Sequence, residues 1–193
     1  LLSAQSAHAQ LWDDVTADTI GSTLEWTNKV DLADVNGDGL VDILFANGGN
    51  YDRPGTPEQN RVFLNQGAGQ PFLEASDEVF GTEGDIARSI KARDVNGDGA
   101  TDIVVGTTYQ SQSRLYLGDG AGGFTEVTDT LLPQRLASVG DVEVGDIDGD
   151  GDMDLALADW GPGNPFDSAG GQILIWLQEE DGSFRDATAQ AMP

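Results

Sequence analysis

Residues 34–42 read DVNGDGLVD, and the same nonapeptide pattern returns as DVNGDGATD at 94–102 and as DIDGDGDMD at 146–154. In the first copy Asp34, Asn36 and Asp38 stand at positions 1, 3 and 5, all with oxygen-bearing side chains. Gly39 at position 6 lets the backbone turn sharply, Leu40 at position 7 offers its carbonyl, and Asp42 at position 9 completes the set. One short loop thus presents five or more hard oxygens around a point, the donor set that Ca²⁺ takes at about 2.3–2.6 Å. The second loop supplies Asp94, Asn96, Asp98, the Ala100 carbonyl and Asp102, and the third Asp146, Asp148, Asp150, the Asp152 carbonyl and Asp154. Asp, Asn and Gly are also the commonest turn residues, so a single copy would read equally well as a solvated turn. Three copies with the same positions filled point to about three calcium sites. Mg²⁺ fits less well, because it favours near-ideal octahedra and keeps its waters.

An EF-hand begins the same way but needs an acidic ligand at position 12 on an exiting helix. Here position 12 is Phe45, Val105 or Leu157, and each loop runs into DILFA, DIVVG or DLALA. These are short β-prone runs bounded by glycine and asparagine, so the loops are expected between strands.

From the loops the reading extends outward by repetition. A strand-like motif of aromatic, any residue, acidic, small and Thr/Ser occurs as Trp12–Thr16 (WDDVT), 72–76 (FLEAS), 124–128 (FTEVT) and 184–188 (FRDAT). The step from Thr16, Ser76 and Thr128 to Asp34, Asp94 and Asp146 is eighteen residues each time. A third run follows each loop (NRVFLN, SRLYLG, QILIWLQ), and a fourth precedes it (KVDLAD, IKARD, VEVGD). The repeating units span about 12–72, 72–124 and 124–184, with four short strands each, the pattern of a propeller blade. No helical periodicity is sustained.

This combination resembles the FG-GAP/VCBS repeats, a family that includes the integrin α-subunit propeller and many secreted bacterial proteins. The resemblance rests on the DxNGDGxxD loops with their following DI/DL runs, on the segment from Asn60 to Phe72, and on the closing F-x-[DE]-V-T. It covers nearly all of residues 12–193, and it departs at 178–182, where QEEDG replaces NxGxG. It implies an all-β chain of about three four-stranded blades from a seven-bladed or similar propeller, with Ca²⁺ in the loop joining the first two strands of each blade. Three blades do not close a ring of four to eight. The missing blades are therefore expected from the same chain, as part of a longer protein, or from a homo-oligomer, with the Trp12–Thr16 strand completing the last blade of the ring.

Composition narrows the function. With 34 acidic residues against 9 basic ones the formal charge is −25, which argues against nucleic acid and anionic membranes as partners. Ten of those acids are aspartates at positions 1, 3, 5 and 9 of the loops. No run long enough for a membrane-spanning helix occurs. There is no cysteine, and the one histidine is His8, so thiol, triad and histidine-metal chemistry have no residues to use. Residues 1–9 end in Ala7-His8-Ala9, the form of a signal-peptide cleavage site, leaving residues 10–193 as repeats of a secreted, periplasmic or cell-surface protein.

The units differ in length almost entirely between their second and third strands, at 46–59, 106–112 and 158–171. Loops on a rigid scaffold are where binding residues concentrate. Tyr51, Arg53, Trp160 and Phe166 are the candidate ligand-binding side chains, although Trp160 and Phe166 could equally plug their loop against the blade. The reading that needs least is a non-catalytic ligand-binding or adhesion module, with a protein or glycan partner and calcium as a staple. A carbohydrate-binding or polysaccharide-cleaving propeller and a purely structural repeat remain as alternatives, and calcium signalling has no helices to work through.

Overall fold

The structure is a computed structural model in which residues 13–162 and 170–191 are described. Three four-stranded antiparallel sheets follow one another along the chain, each in simple meander order. The first contains β1 (Thr27–Ala33), β2 (Asp42–Asn47), β3 (Arg61–Leu64) and β4 (Leu73–Glu74). The second contains β5 (Ala87–Arg93) and β6 (Asp102–Thr107); β7 (Ser111–Gln112) stands apart, and β8 (Arg114–Gly118) and β9 (Phe124–Glu126) complete the sheet. After β10 (Leu136–Ala137), which pairs only with β7, the third contains β11 (Val139–Gly145), β12 (Asp154–Asp159), β13 (Ile173–Gln178) and β14 (Phe184–Asp186). These are propeller-type blades, as the sequence predicts.

The blades stack face to face because alternate residues of each strand point to opposite faces. Leu44, Ala46 and Val62 of the first blade meet Ile90, Ile103, Val105 and Tyr116 of the second. Val104 and Leu115 of the second meet Val142, Leu155, Leu157 and Trp176 of the third. At the two ends of the stack the equivalent faces stay open: Val30 and Leu32 are 50% and 57% exposed, where the matching Ile90 and Ala92 are 0% and 2%. Ile173 is likewise exposed on the far face of the third blade.

Two features depart from the sequence reading. The Trp12–Thr16 motif is not a strand in its described part: residues 13–15 are unpaired and Thr16 opens a one-turn helix, α1 (Thr16–Thr19), while Trp12 lies outside the described residues. Three equivalent turns follow the outer strands, α2 (Ser76–Phe80), α3 (Thr128–Leu131) and α4 (Thr188–Ala191). At four or five residues they are too short to leave a periodic signal. Each starts at the motif's final Ser/Thr, whose hydroxyl extends the ladder of its own blade: Ser76, Thr128 and Thr188 accept from the amides of Val62, Leu115 and Ile175 at 3.1, 3.0 and 3.1 Å. For Thr16 no strand of the described residues occupies that place.

Candidate metal centres and the long-loop face

Each candidate loop joins the inner strand of a blade to the next strand, the place that the family resemblance implies. Glycines at positions 4 and 6 carry the chain round with left-handed φ, 74° and 85° at Gly37 and Gly39, 76° and 89° at Gly97 and Gly99, and 87° and 103° at Gly149 and Gly151. An L side chain is strained in that region, so both positions favour glycine.

The third loop brings Asp146, Asp148 and Asp154 together with ligand oxygens within 4.8 Å of one another, the one such three-residue acidic group among the described residues. Partial desolvation, with the charges of Asp150, Asp154 and Asp146, pushes the Asp148 carboxyl above its ordinary value against the opposing hydrogen bond from the Asp150 amide. Converging carboxylates with no basic partner are the chemistry of a hard-cation site. Asp150 and Asp152 stand outside this group, and an Asp150 oxygen accepts from the Asp152 amide at 2.9 Å.

In all three loops carboxylate oxygens also accept from the loop's own backbone, as Asp146 does from Gly149 at 2.7 Å. Asp34 accepts from the amides of Gly37, Asp38 and Gly39 at 2.8, 3.2 and 2.8 Å. Asp94 accepts from Gly97 and Gly99. Asn36 and Asn96 donate to Asp38 and Asp98 at 3.1 and 2.9 Å. Leu40 and Ala100 each donate an amide to the same aspartates and leave their carbonyls at position 7.

Position 9 has a role that spacing alone does not reveal. Asp42, Asp102 and Asp154 are fully buried. One carboxylate oxygen of each accepts from the loop's second residue, Val35, Val95 or Ile147 (2.9, 2.9 and 2.8 Å). The other accepts from the end of the blade's third strand, at Asn65, Gly118 or Gln178 (2.8, 2.9 and 2.9 Å). Burial pushes the Asp42 and Asp102 carboxyls up, and these amide bonds oppose it. The loops also reach the next blade: Thr101 donates to the Asp34 carbonyl at 2.8 Å, and Gln178 to the Val95 carbonyl at 2.9 Å.

The long loops meet on the face where the inner strands begin. Tyr51 and Trp160, from the first and third blades, lie 4.4 and 5.9 Å from the Arg88 guanidinium of the second. The sequence reading singled out both rings but missed Arg88, which sits in a strand beside a register shift that only the pairing reveals. Arg53 is exposed, beside Asp52 at 3.9 Å. Phe166 lies outside the described residues.

Meander blades carrying acidic loops between their first two strands define a β-propeller-type repeat protein. The family model of FG-GAP-like repeats matches residues 34–105 and 94–157, and the chain belongs to that family. It is similar to integrin alpha-4 of Xenopus laevis, 29% identical over 162 residues that cover 75% of this chain. The chain spans 16% of that relative's length. No described helix is long and apolar enough to cross a membrane.

Proposed function

We propose that residues 10–193 form a calcium-stapled, extracellular propeller module that binds a partner through its long-loop face and carries no catalytic centre. The carrying observation is the convergence of Asp146, Asp148 and Asp154 in one of three loops of the same pattern. In this reading the ligands are Asp34, Asn36, Asp38, the Leu40 carbonyl and Asp42, then Asp94, Asn96, Asp98, the Ala100 carbonyl and Asp102, and in the third loop Asp146, Asp148, Asp150, the Asp152 carbonyl and Asp154. A bound Ca²⁺ would supply the positive charge that offsets repulsion among these carboxylates. The chain's own part is to hold the oxygens in place. Gly-Asp-Gly turns carry the chain round positions 1 to 6, and position 9 anchors the loop to the third strand. Thr101 and Gln178 tie a loop to the following blade, so a stiffened loop also stiffens a blade junction.

Residues 1–9 are read as the remnant of a secretory signal peptide, and the setting as secreted, periplasmic or cell-surface. Similarity to an integrin α chain supports adhesion or ligand binding as the role. The open faces at Val30, Leu32 and Ile173 support further blades as neighbours, from the same chain or from another copy.

The deciding experiment is thermal unfolding with CaCl₂ and then with EDTA, alongside light scattering. A calcium-dependent rise in melting temperature is expected. Identical transitions in both buffers would overturn the assignment.

A further inference from the structure

The chain holds nine basic side chains against 34 acidic ones, all nine among the described residues. Eight of them, from Lys29 on Asp141 to Arg185 on Glu179, lie within 4.0 Å of a carboxylate. Arg88 is the ninth, and at 4% exposed it is the buried one. Its Nη1 and Nη2 donate to the Asn28 side-chain oxygen and the Asn50 carbonyl, and its Nε has no partner. A buried cation without a counter-charge is costly. Burial accordingly pulls the guanidinium below its ordinary value, against the opposing effect of Tyr51 and Tyr109. Among the described residues no carboxylate lies within 4.0 Å of this guanidinium.

The surroundings are shaped around this group. Arg88 is the extra residue at the register shift of β5, and Asn28 and Gly140 hold the equivalent positions in β1 and β11. Such bulges re-aim a side chain and are enriched beside functional sites. Gly140 leaves room for an indole, since a Cβ there would stand 2.1 Å from Trp160 Nε1. Tyr109 and Gln110 hold left-handed φ of 55° and 60°, strain of the kind that gathers at binding sites. The Tyr109 hydroxyl donates to the same Asn50 carbonyl at 2.9 Å.

We infer that Arg88 receives one carboxylate, presented by a peptide segment of a partner protein, at its unpartnered Nε between Tyr51 and Trp160. This rests on reading the chain as a binding module and names the partner chemistry of the long-loop face. A chain of net charge −25 repels a densely charged polyanion, but a single Asp, Glu or C-terminal carboxylate in an otherwise uncharged segment is little affected. Arg, Tyr and Trp are also the side chains that dominate protein interfaces. Tyr51 is half exposed and forms the cover: its ring must swing aside for the carboxylate to reach Nε.

The test uses the full ¹⁵N-labelled chain in calcium buffer and follows the Arg88 Nε–H resonance by NMR. Acetyl-Ala-Asp-Ala amide should shift that resonance saturably. Its Asn counterpart should bind at least about tenfold more weakly, as expected on losing a charge-assisted hydrogen bond. Acetate alone should displace the aspartyl peptide, and Arg88→Lys should assign the resonance by its loss. Because the wild-type resonance is itself the readout, poor folding of that variant would leave the test intact. A silent Nε, equal binding of both peptides, or a response to glucuronate but not to peptide would each overturn the inference. Melting temperature with and without calcium separates the two readings: a calcium-stabilised protein with a silent Nε loses this inference alone.

Discussion

Replacing Asp98 and Asp102 separately distinguishes the metal-holding role of the loops from their structural one. Asp102 is fully buried, and its two oxygens take the amides of Val95 and Gly118 at 2.9 Å each. Asp102→Ala leaves both donors unpaired, Val95 being 1% exposed. In calcium the variant also forfeits the stabilisation linked to that site; in EDTA, at about 1–3 kcal/mol for each unsatisfied group, the loss is about 2–6 kcal/mol. For a chain of this size that corresponds to a fall in Tm of roughly 5–20 °C. Asp98 is exposed and accepts from the Ala100 amide and from Asn96, bonds that water can replace, and removing its charge relieves repulsion with Asp94 and Asp102. Asp98→Ala should therefore cost almost nothing in EDTA. In calcium it should forfeit the stabilisation linked to one site, about 2.7 kcal/mol if Ca²⁺ is present at a hundred times Kd. Thermal unfolding of wild type and both variants in CaCl₂ and in EDTA gives the six numbers needed. An Asp102→Ala protein as stable as wild type in EDTA would refute the anchoring role, and equal losses for Asp98→Ala in both buffers would refute the metal assignment.

Gly140→Ala places a Cβ 2.1 Å from Trp160 Nε1; displacing the indole should cost about 1–3 kcal/mol, read as a lower Tm with altered tryptophan fluorescence. Thr128→Val removes the acceptor for the buried Leu115 amide and should destabilise by about 1–3 kcal/mol with faster hydrogen exchange at that amide, while Thr128→Ser retains protection. Burial works to raise the Asp141 carboxyl, but hydrogen bonds from Lys29 and Ser89 and the Lys29 charge outweigh it and hold its pKa low. A depressed native pKa contributes stability above the unfolded value of about 3.9 that disappears as pH falls through the native one. The Tm gap between wild type and Asp141→Asn, measured in EDTA, should be constant above about pH 5 and narrow toward pH 3; a gap that widens on acidification would contradict the sign.

What the sequence discloses here depends on how far apart the cooperating residues are. The loops are legible because their ligand set and glycines fall within nine consecutive residues, and the blades because each loop is flanked by short β-prone runs at a fixed step. The second duty of Asp42, Asp102 and Asp154 is hidden for the opposite reason: their strand partners Asn65, Gly118 and Gln178 lie 16 to 24 residues away and contribute only backbone amides, which have no residue identity to read. The Ser/Thr at the end of each outer-strand motif is visible as a repeated letter, yet its hydroxyl bond to the third strand and the helical turn it opens emerge only from the pairing. Arg88 is the extreme case. Nothing local marks it, since it lies within an ordinary inner strand, and its significance lies in a negative: among the described residues eight basic side chains found a carboxylate and this one did not. That is a property of three blades packed together around a bulge, so it belongs to the tertiary structure rather than to any segment. The residues whose roles are least legible in the sequence are thus those that join one blade or strand to another, and their substitution should disturb the arrangement of blades more than the loops themselves.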